Sequence, residues 1–377
     1  MYTFYIIVHI FVGTAAPLFF AVMLPLSTVS TLMFVGTWQN FAVSLKHPVF
    51  KISAIIVVML LVSCIYSSFP SHSLKDAAQL SLLLICFAVL WGLKTNINNK
   101  LTEQHKKIIF YVLVTALISI LGLNILVQQR WLSWEVYFFN RTLAALSLCF
   151  WSLSLYYNDK KDQWWLWLAY ILILVNIVVG VSETAFLICI ASSLTYLFFS
   201  IISGPSSART SVFALGIVLI SSVPSLLAYI KSTSIIHYLT SLIGPKLHHY
   251  KIWVTSFDNA IQNFPLGAGI NTTQRFNTEA AIAERGFSIH HPHNLQIELF
   301  SELGIIGIFI SILLIFAAVR LFQKAPRSYQ PAIAATLVAI FVFYAVSFSI
   351  WQEWRNGLVA FVLIVTQRFL SEQISQK

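Results

Sequence analysis

Three histidines and a proline stand where a long polar stretch of the chain gives way to an apolar one: His290-His291-Pro292-His293-Asn294-Leu295. Imidazole is the side chain whose ordinary pKa lies closest to neutrality, so it can take up or release a proton at physiological pH. Pro292 keeps His291 extended and prevents a helix from starting earlier. Asn294 is a favoured N-cap for the helix that follows. His293 then lies beside the positive end of a helix dipole, which disfavours imidazolium and favours a nearby anion. A neutral imidazole next to an anion site suits a general base, and His293 is the candidate catalytic residue. Histidine and asparagine are also common at helix starts and membrane interfaces, so local chemistry alone leaves a structural role open. The histidine cluster could ligate zinc, but no carboxylate or cysteine stands at ligand spacing, and no metal is expected.

Other ionisable residues sit at the edges of apolar runs, where charge is costly and needs a reason. Arg141 opens one such run, and Glu183 occupies a minimal turn between two others. Glu298 and Glu302, four apart, share one helix face. Glu353 and Arg355 share the short turn Trp351-Gln352-Glu353-Trp354-Arg355. Singly, arginines snorkel and carboxylates cap helices. Several at one depth suggest a polar cavity opening outward. Guanidinium matches phosphate oxygens with its planar fork, so Arg141, Lys246, Lys251, Arg275, Arg285 and Arg355 are candidates for holding a diphosphate, and the sequence does not rank them.

The elements that must position these groups are membrane helices. The 377 residues are 58% hydrophobic and only 10% charged, with mean hydropathy +0.81. A water-soluble domain of this size carries far more charge. The expected fold is an all-α polytopic membrane protein with about twelve transmembrane helices, by the usual length of roughly 20 residues each. They fall near 4–24, 27–44, 49–67, 74–93, 107–127, 141–157, 164–181, 184–203, 210–230, 296–321, 330–350 and 354–370. Only Pro25 and a few small residues separate the first two. The organisation is thus helices 1–9 over 1–230, a large loop over 231–295, and helices 10–12 with a cytoplasmic C-terminus over 296–377. With both termini in the cytoplasm, fourteen of the 23 Lys and Arg fall on the cytoplasmic side and four on short outer loops and span ends, so the long loop faces outward. This bias explains the formal +10 charge without nucleic acid. The first segment reads as a retained span, because it lacks a basic n-region and a small-residue cleavage site.

Within the loop, Ser234–Ile243 has apolar residues at helical spacing and stops at Gly244-Pro245. A second helix is expected over Tyr250–Asn263, with Trp253, Phe257, Ala260, Ile261 and Phe264 on one stripe. Pro265-Leu266-Gly267-Ala268-Gly269 then turns the chain. The remainder, 270–289, reads as polar and mobile. Cys64, Cys86, Cys149 and Cys189 all lie in apolar runs, which argues against disulfides and thiolate metal sites. The chain has no P-loop, GxGxxG, HExxH or serine-nucleophile elbow, so no cofactor is expected.

Together these features resemble the O-antigen ligase and O-antigen polymerase superfamily of bacterial envelopes. The resemblance covers the helix number and the large loop between helices 9 and 10. It also covers Trp253 with Pro265-Leu266-Gly267-Ala268-Gly269, Pro292-His293-Asn294, and Gly304-Ile305-Ile306-Gly307. Ligases of this kind carry His-Asn, nine residues, then Gly-x-x-Gly, the spacing from His293-Asn294 to Gly304 here. The resemblance implies transfer of a glycan from undecaprenyl diphosphate to a sugar hydroxyl of lipid A–core, at the periplasmic face of the bacterial inner membrane. It implies no metal or nucleotide. His293 inherits the role of base toward the acceptor hydroxyl, and Arg141 that of diphosphate ligand. Two positions depart from the pattern. Ser182-Glu183 stands where relatives often carry Ser-Arg, and His249 where they often carry an arginine before the loop tryptophan. The diphosphate grip would then shift onto Lys251, Arg275 or Arg285, with His249, Asn294 and Glu298 completing the substrate-binding candidates. A polymerase, with the same donor but a lipid-linked glycan as acceptor, is the second reading. A transporter or flippase of lipid-linked sugars is the third.

Overall fold

The computed structural model describes residues 6–10, 17–35, 38–93, 102–129, 139–157, 162–230, 247–273, 291–346 and 349–375. Besides the helical residues 6–10, the described residues form fourteen α-helices: α1 (Phe20–Val35), α2 (Trp38–Lys46), α3 (Pro48–Ile65), α4 (Pro70–Gly92), α5 (Glu103–Gln128), α6 (Asn140–Ser154), α7 (Gln163–Gly180), α8 (Glu183–Ile201), α9 (Ser206–Ile230), α10 (Leu247–Gln262), α11 (Leu295–Leu303), α12 (Ile305–Lys324), α13 (Gln330–Val346) and α14 (Glu353–Ser375). Among the described residues, eight helical stretches are long and apolar enough to cross a membrane: α3, α4, α5, α7, α8, α9, α12 and Arg327–Val346. The protein is an all-α, multi-pass membrane protein. Large apolar side chains point away from the protein, among them Ile65 and Ile201, each 81% exposed. Water does not tolerate such a surface, and lipid does.

Local sequence sets several helix starts. Pro48 and Pro70 open α3 and α4 at positions where a missing N–H costs nothing. Thr102 closes a capping box with His105 at the start of α5. Two expectations fail. No break occurs at Pro25, which lies inside α1. The expected span 296–321 is two helices, because the chain breaks at Gly304. The expected helix Ser234–Ile243 lies outside the described residues.

The middle of the bundle is α6 and α13. Every side chain from Thr142 to Ser154 is buried, as is every one from Gln330 to Phe341. The small residues Ala332, Ala334, Ala335 and Ala339 let α13 lie close along α8.

Side-chain staples sort the helix ends into two layers. At one end Arg209, near the start of α9, reaches carbonyls at the end of α8 and the Gln330 side chain that opens α13. Arg368 of α14 donates to Leu90 and Leu93 at the end of α4. At the other end lie the starts of α4, α6 and α14, the turn after α10, and α11.

Candidate active site

The break at Gly304 is built by two separate sequence motifs that meet in space. Gly304 has φ +57° and ψ −127°, a backbone conformation that a side chain strains. A Cβ there would run into the Pro265 carbonyl, and one on Gly267 would run into the Glu302 carbonyl. The turn Pro265–Gly269 therefore packs backbone to backbone on the end of α11. Ala268 N donates to Ser301 O at 3.0 Å and Gly269 N to Glu302 O at 2.8 Å. Ile305 N donates to Pro265 O at 2.9 Å. Groups orphaned by the broken helix are thus satisfied by the loop. Gly269 in turn presses on Ser67, ahead of α4.

Residues 270–273, expected to begin a mobile segment, are instead tied down. Ser73 Oγ donates to Ile270 O at 2.8 Å. Asn271 Nδ2 donates to Asp76 at 2.7 Å, and Asp76 also faces His72 at 3.4 Å. The larger anchor is Glu302. Its carboxylate accepts from Asn271 N at 2.6 Å, Thr273 N at 3.1 Å, Thr273 Oγ1 at 2.6 Å, and the Trp351 indole N–H. One turn earlier, Glu298 accepts from Ser349 Oγ and from Ile350 N at 2.9 Å. These contacts clamp α11 between the loop and the α13–α14 turn. Both carboxyl groups are buried and precede the span α12. Burial pushes each pKa up, Glu302 further through the charge of Glu298, while the surrounding donors and the Arg355 charge on Glu298 oppose the rise.

The start of α11 has the form expected of Asn294. This residue is extended, and its Oδ1 accepts from Ile297 N at 3.1 Å. His293 just before it adopts φ +54°, a left-handed conformation uncommon outside glycine. Its ring lies 4.0 Å from that of His291, centroid to centroid. Pro292 is buried, and both imidazoles are half-buried. The imidazole of His293 therefore stands at the positive end of a capped helix that is pinned at both of its turns.

Arg355, one of the six diphosphate candidates, lies deeper than the sequence suggests. The sequence places it in an outer turn; the structure places it inside, 0% exposed, in the first turn of α14. Its guanidinium lies over the faces of Phe343 and Tyr344, at 4.7 and 4.8 Å. Nη2 donates to Phe343 O at 3.3 Å. Nε and Nη1 have no hydrogen-bond partner among the described residues. Neither has Nδ2 of Asn294, which is 1% exposed. Arg141, at the start of α6, sits 5.9 Å above the Trp354 ring, which packs edge-on against Phe343. The two guanidinium groups thus bracket one aromatic pair. The carboxylates of α11 are saturated from within the protein, whereas the buried groups of Arg355 and Asn294 that lack partners are donors. Donors of this kind suit a ligand rich in acceptor oxygens, such as a phosphate ester.

Of the candidates that the sequence singles out, the structure connects Arg141, Asn294 and Glu298 around Arg355 and α11, with His293 adjoining Asn294. Lys251 lies exposed on α10, which packs on α11, and His249 lies in the first turn of α10. Lys246, Arg275, Arg285 and His290 lie outside the described residues. Ser349, Trp351, Asn271, Thr273 and Asp76 join the site without any signal in the sequence. Their roles arise from contacts between distant segments, and no local pattern marks them.

No family model matches the chain. Two curated proteins are similar to it over most of its length. One from Rickettsia conorii is 22% identical over 334 residues, covering 83% of this chain and 78% of its own. One from Rickettsia typhi is 22% identical over 339 residues, covering 83% and 79%. Both carry the name "Putative polysaccharide ligase", so this multi-pass membrane chain is similar, over most of its length, to proteins named for joining polysaccharides.

Proposed function

We propose that the chain is a polysaccharide ligase, an enzyme that transfers an O-antigen-type glycan from undecaprenyl diphosphate to a sugar hydroxyl of lipid A–core at the periplasmic face of the bacterial inner membrane. The observation that carries this reading is the capped start of α11. There His293 adjoins Asn294, whose amide is buried without a partner among the described residues. The names of the Rickettsia proteins and the outward bias of the long loop support it.

In this reading His293 takes the proton from the acceptor hydroxyl. The oxygen attacks the anomeric carbon, and the bond from that carbon to the diphosphate oxygen breaks. Its electron pair goes to the leaving diphosphate, and the imidazolium returns its proton to water. The anomeric centre inverts. No nucleotide is consumed, because the leaving group is already activated. A base matched to neutral pH adds about 10²–10⁴-fold to the rate. Fixed cations stabilise the charge that develops on the leaving group, and alignment of the two substrates supplies much of the remainder.

Purified protein given a labelled lipid-diphosphate glycan and two acceptors tests the reading. Transfer to lipid A–core is expected. Transfer to a lipid-linked repeat instead would make the chain a polymerase, and transfer to neither would refute a transferase.

A further inference from the structure

We propose that Arg355, together with the Asn294 amide, forms the buried half of a diphosphate subsite, receiving the donor's bridging and leaving oxygens behind His293. The proposal rests on the transferase reading for its ligand and on geometry for its location.

A guanidinium carries five N–H groups, and burying them without partners is expensive. Proteins that bury arginine as a fastener fill the fork, as Arg209 shows with partners on all three nitrogens. Arg355 is more deeply buried yet uses one nitrogen, at the long distance of 3.3 Å. The aromatic faces of Phe343 and Tyr344 hold the plane of the fork in place without occupying its N–H edges. Glu298 supplies counter-charge, but its oxygens are taken by Ser349 and Ile350. What remains is a rigid cation with spare donor capacity. Asn294 adds a second buried donor one helical turn from Glu298, on the same face of α11. The positive end of α11 lies at Asn294 and favours an anion there. An acceptor-rich dianion satisfies all these groups at once. A neutral sugar hydroxyl satisfies one.

Glu298 then has a distinct part. It balances the cation while the site is empty and competes with the ligand when it is full. Removing its charge should strengthen diphosphate binding, whereas removing Arg355 should weaken it. A merely structural clamp would lose affinity in both cases.

The test uses the full chain in zwitterionic nanodiscs, with farnesyl diphosphate as the probe. Arg355→Gln should weaken binding by about tenfold or more, Arg355→Lys should recover part of that loss, and Glu298→Gln should tighten binding a few-fold. In transfer assays Arg355→Gln should raise the donor KM more than the acceptor KM. Inorganic pyrophosphate should compete with the probe, and phosphatidylglycerol in the nanodisc should not. Competition by phosphatidylglycerol at comparable strength would reassign the site to lipid headgroups and overturn the proposal. So would unchanged affinity in Arg355→Gln, or weaker affinity in both variants. If Arg355→Gln does not fold, Glu298→Gln decides alone: tightening supports the subsite, and anything else overturns it. Wild-type binding of the probe without glycan transfer contradicts the transferase reading while supporting the subsite, so the two fail separately.

Discussion

Two buried arginines, one at each end of the bundle, are used in opposite ways. Arg209 is 4% exposed and donates to Gln330 Oε1 at 2.8 Å, Ile202 O at 2.6 Å and Phe199 O at 2.9 Å. It ties three helices together, and its fork is spent on the fold. Arg355 is 0% exposed and leaves Nε and Nη1 unbonded among the described residues. Burial alone therefore does not distinguish the two. Unfilled donor capacity does, and leaving it unfilled costs about 1–3 kcal/mol per group.

Substitutions at the two ends can break this contrast. The largest expected effect on folding is Arg209→Met, which strands two carbonyls and an amide oxygen. It should cost about 3 kcal/mol or more and lower the apparent Tm of the purified protein, while surviving folded protein transfers glycan at the wild-type rate. Next is Gly304→Ala, which forces a Cβ onto the Pro265 carbonyl at a backbone conformation that disfavours it. About 1–3 kcal/mol of strain is expected, together with loosening of the 265–273 turn seen as faster amide exchange. Arg141→Ala should reduce donor use by about tenfold and Arg141→Lys by less, read as the donor KM. Equal, full activity in both would remove Arg141 from the site. The smallest change expected is in the stability of the double variant Arg355→Met, Glu298→Gln. Removing the buried charge together with its counter-charge should cost about 1 kcal/mol or less. A loss as large as that of Arg209→Met would erase the contrast.

Much of this arrangement is legible in the sequence, for reasons that differ by residue. Asn294 is recognisable because N-capping is decided by a residue and its next three neighbours. The turn at Pro265–Gly269 is recognisable because glycine and proline mark backbone needs that no other residue meets. The helical character follows from length and hydropathy. The break at Gly304 is hidden, since a glycine within an apolar run reads as continuous helix until the chain that fills the gap is known. That filler is Pro265–Gly269, about forty residues away. The same reason hides the anchoring of Asn271 and Thr273 by Glu302, and the inward placement of Arg355. Spacing puts Glu298 and Glu302 on one face; what each grips is settled by the α13–α14 turn and the loop, which spacing does not reach. Pro25 misleads in the other direction, reading as a boundary where α1 runs through it.

The proposed role of His293 as base in glycan transfer is tested most directly by turnover of purified His293→Ala with a lipid-diphosphate glycan and lipid A–core. Transfer should fall to background while the variant inserts, folds and binds farnesyl diphosphate as tightly as wild type. Transfer at the wild-type rate by His293→Ala would contradict it.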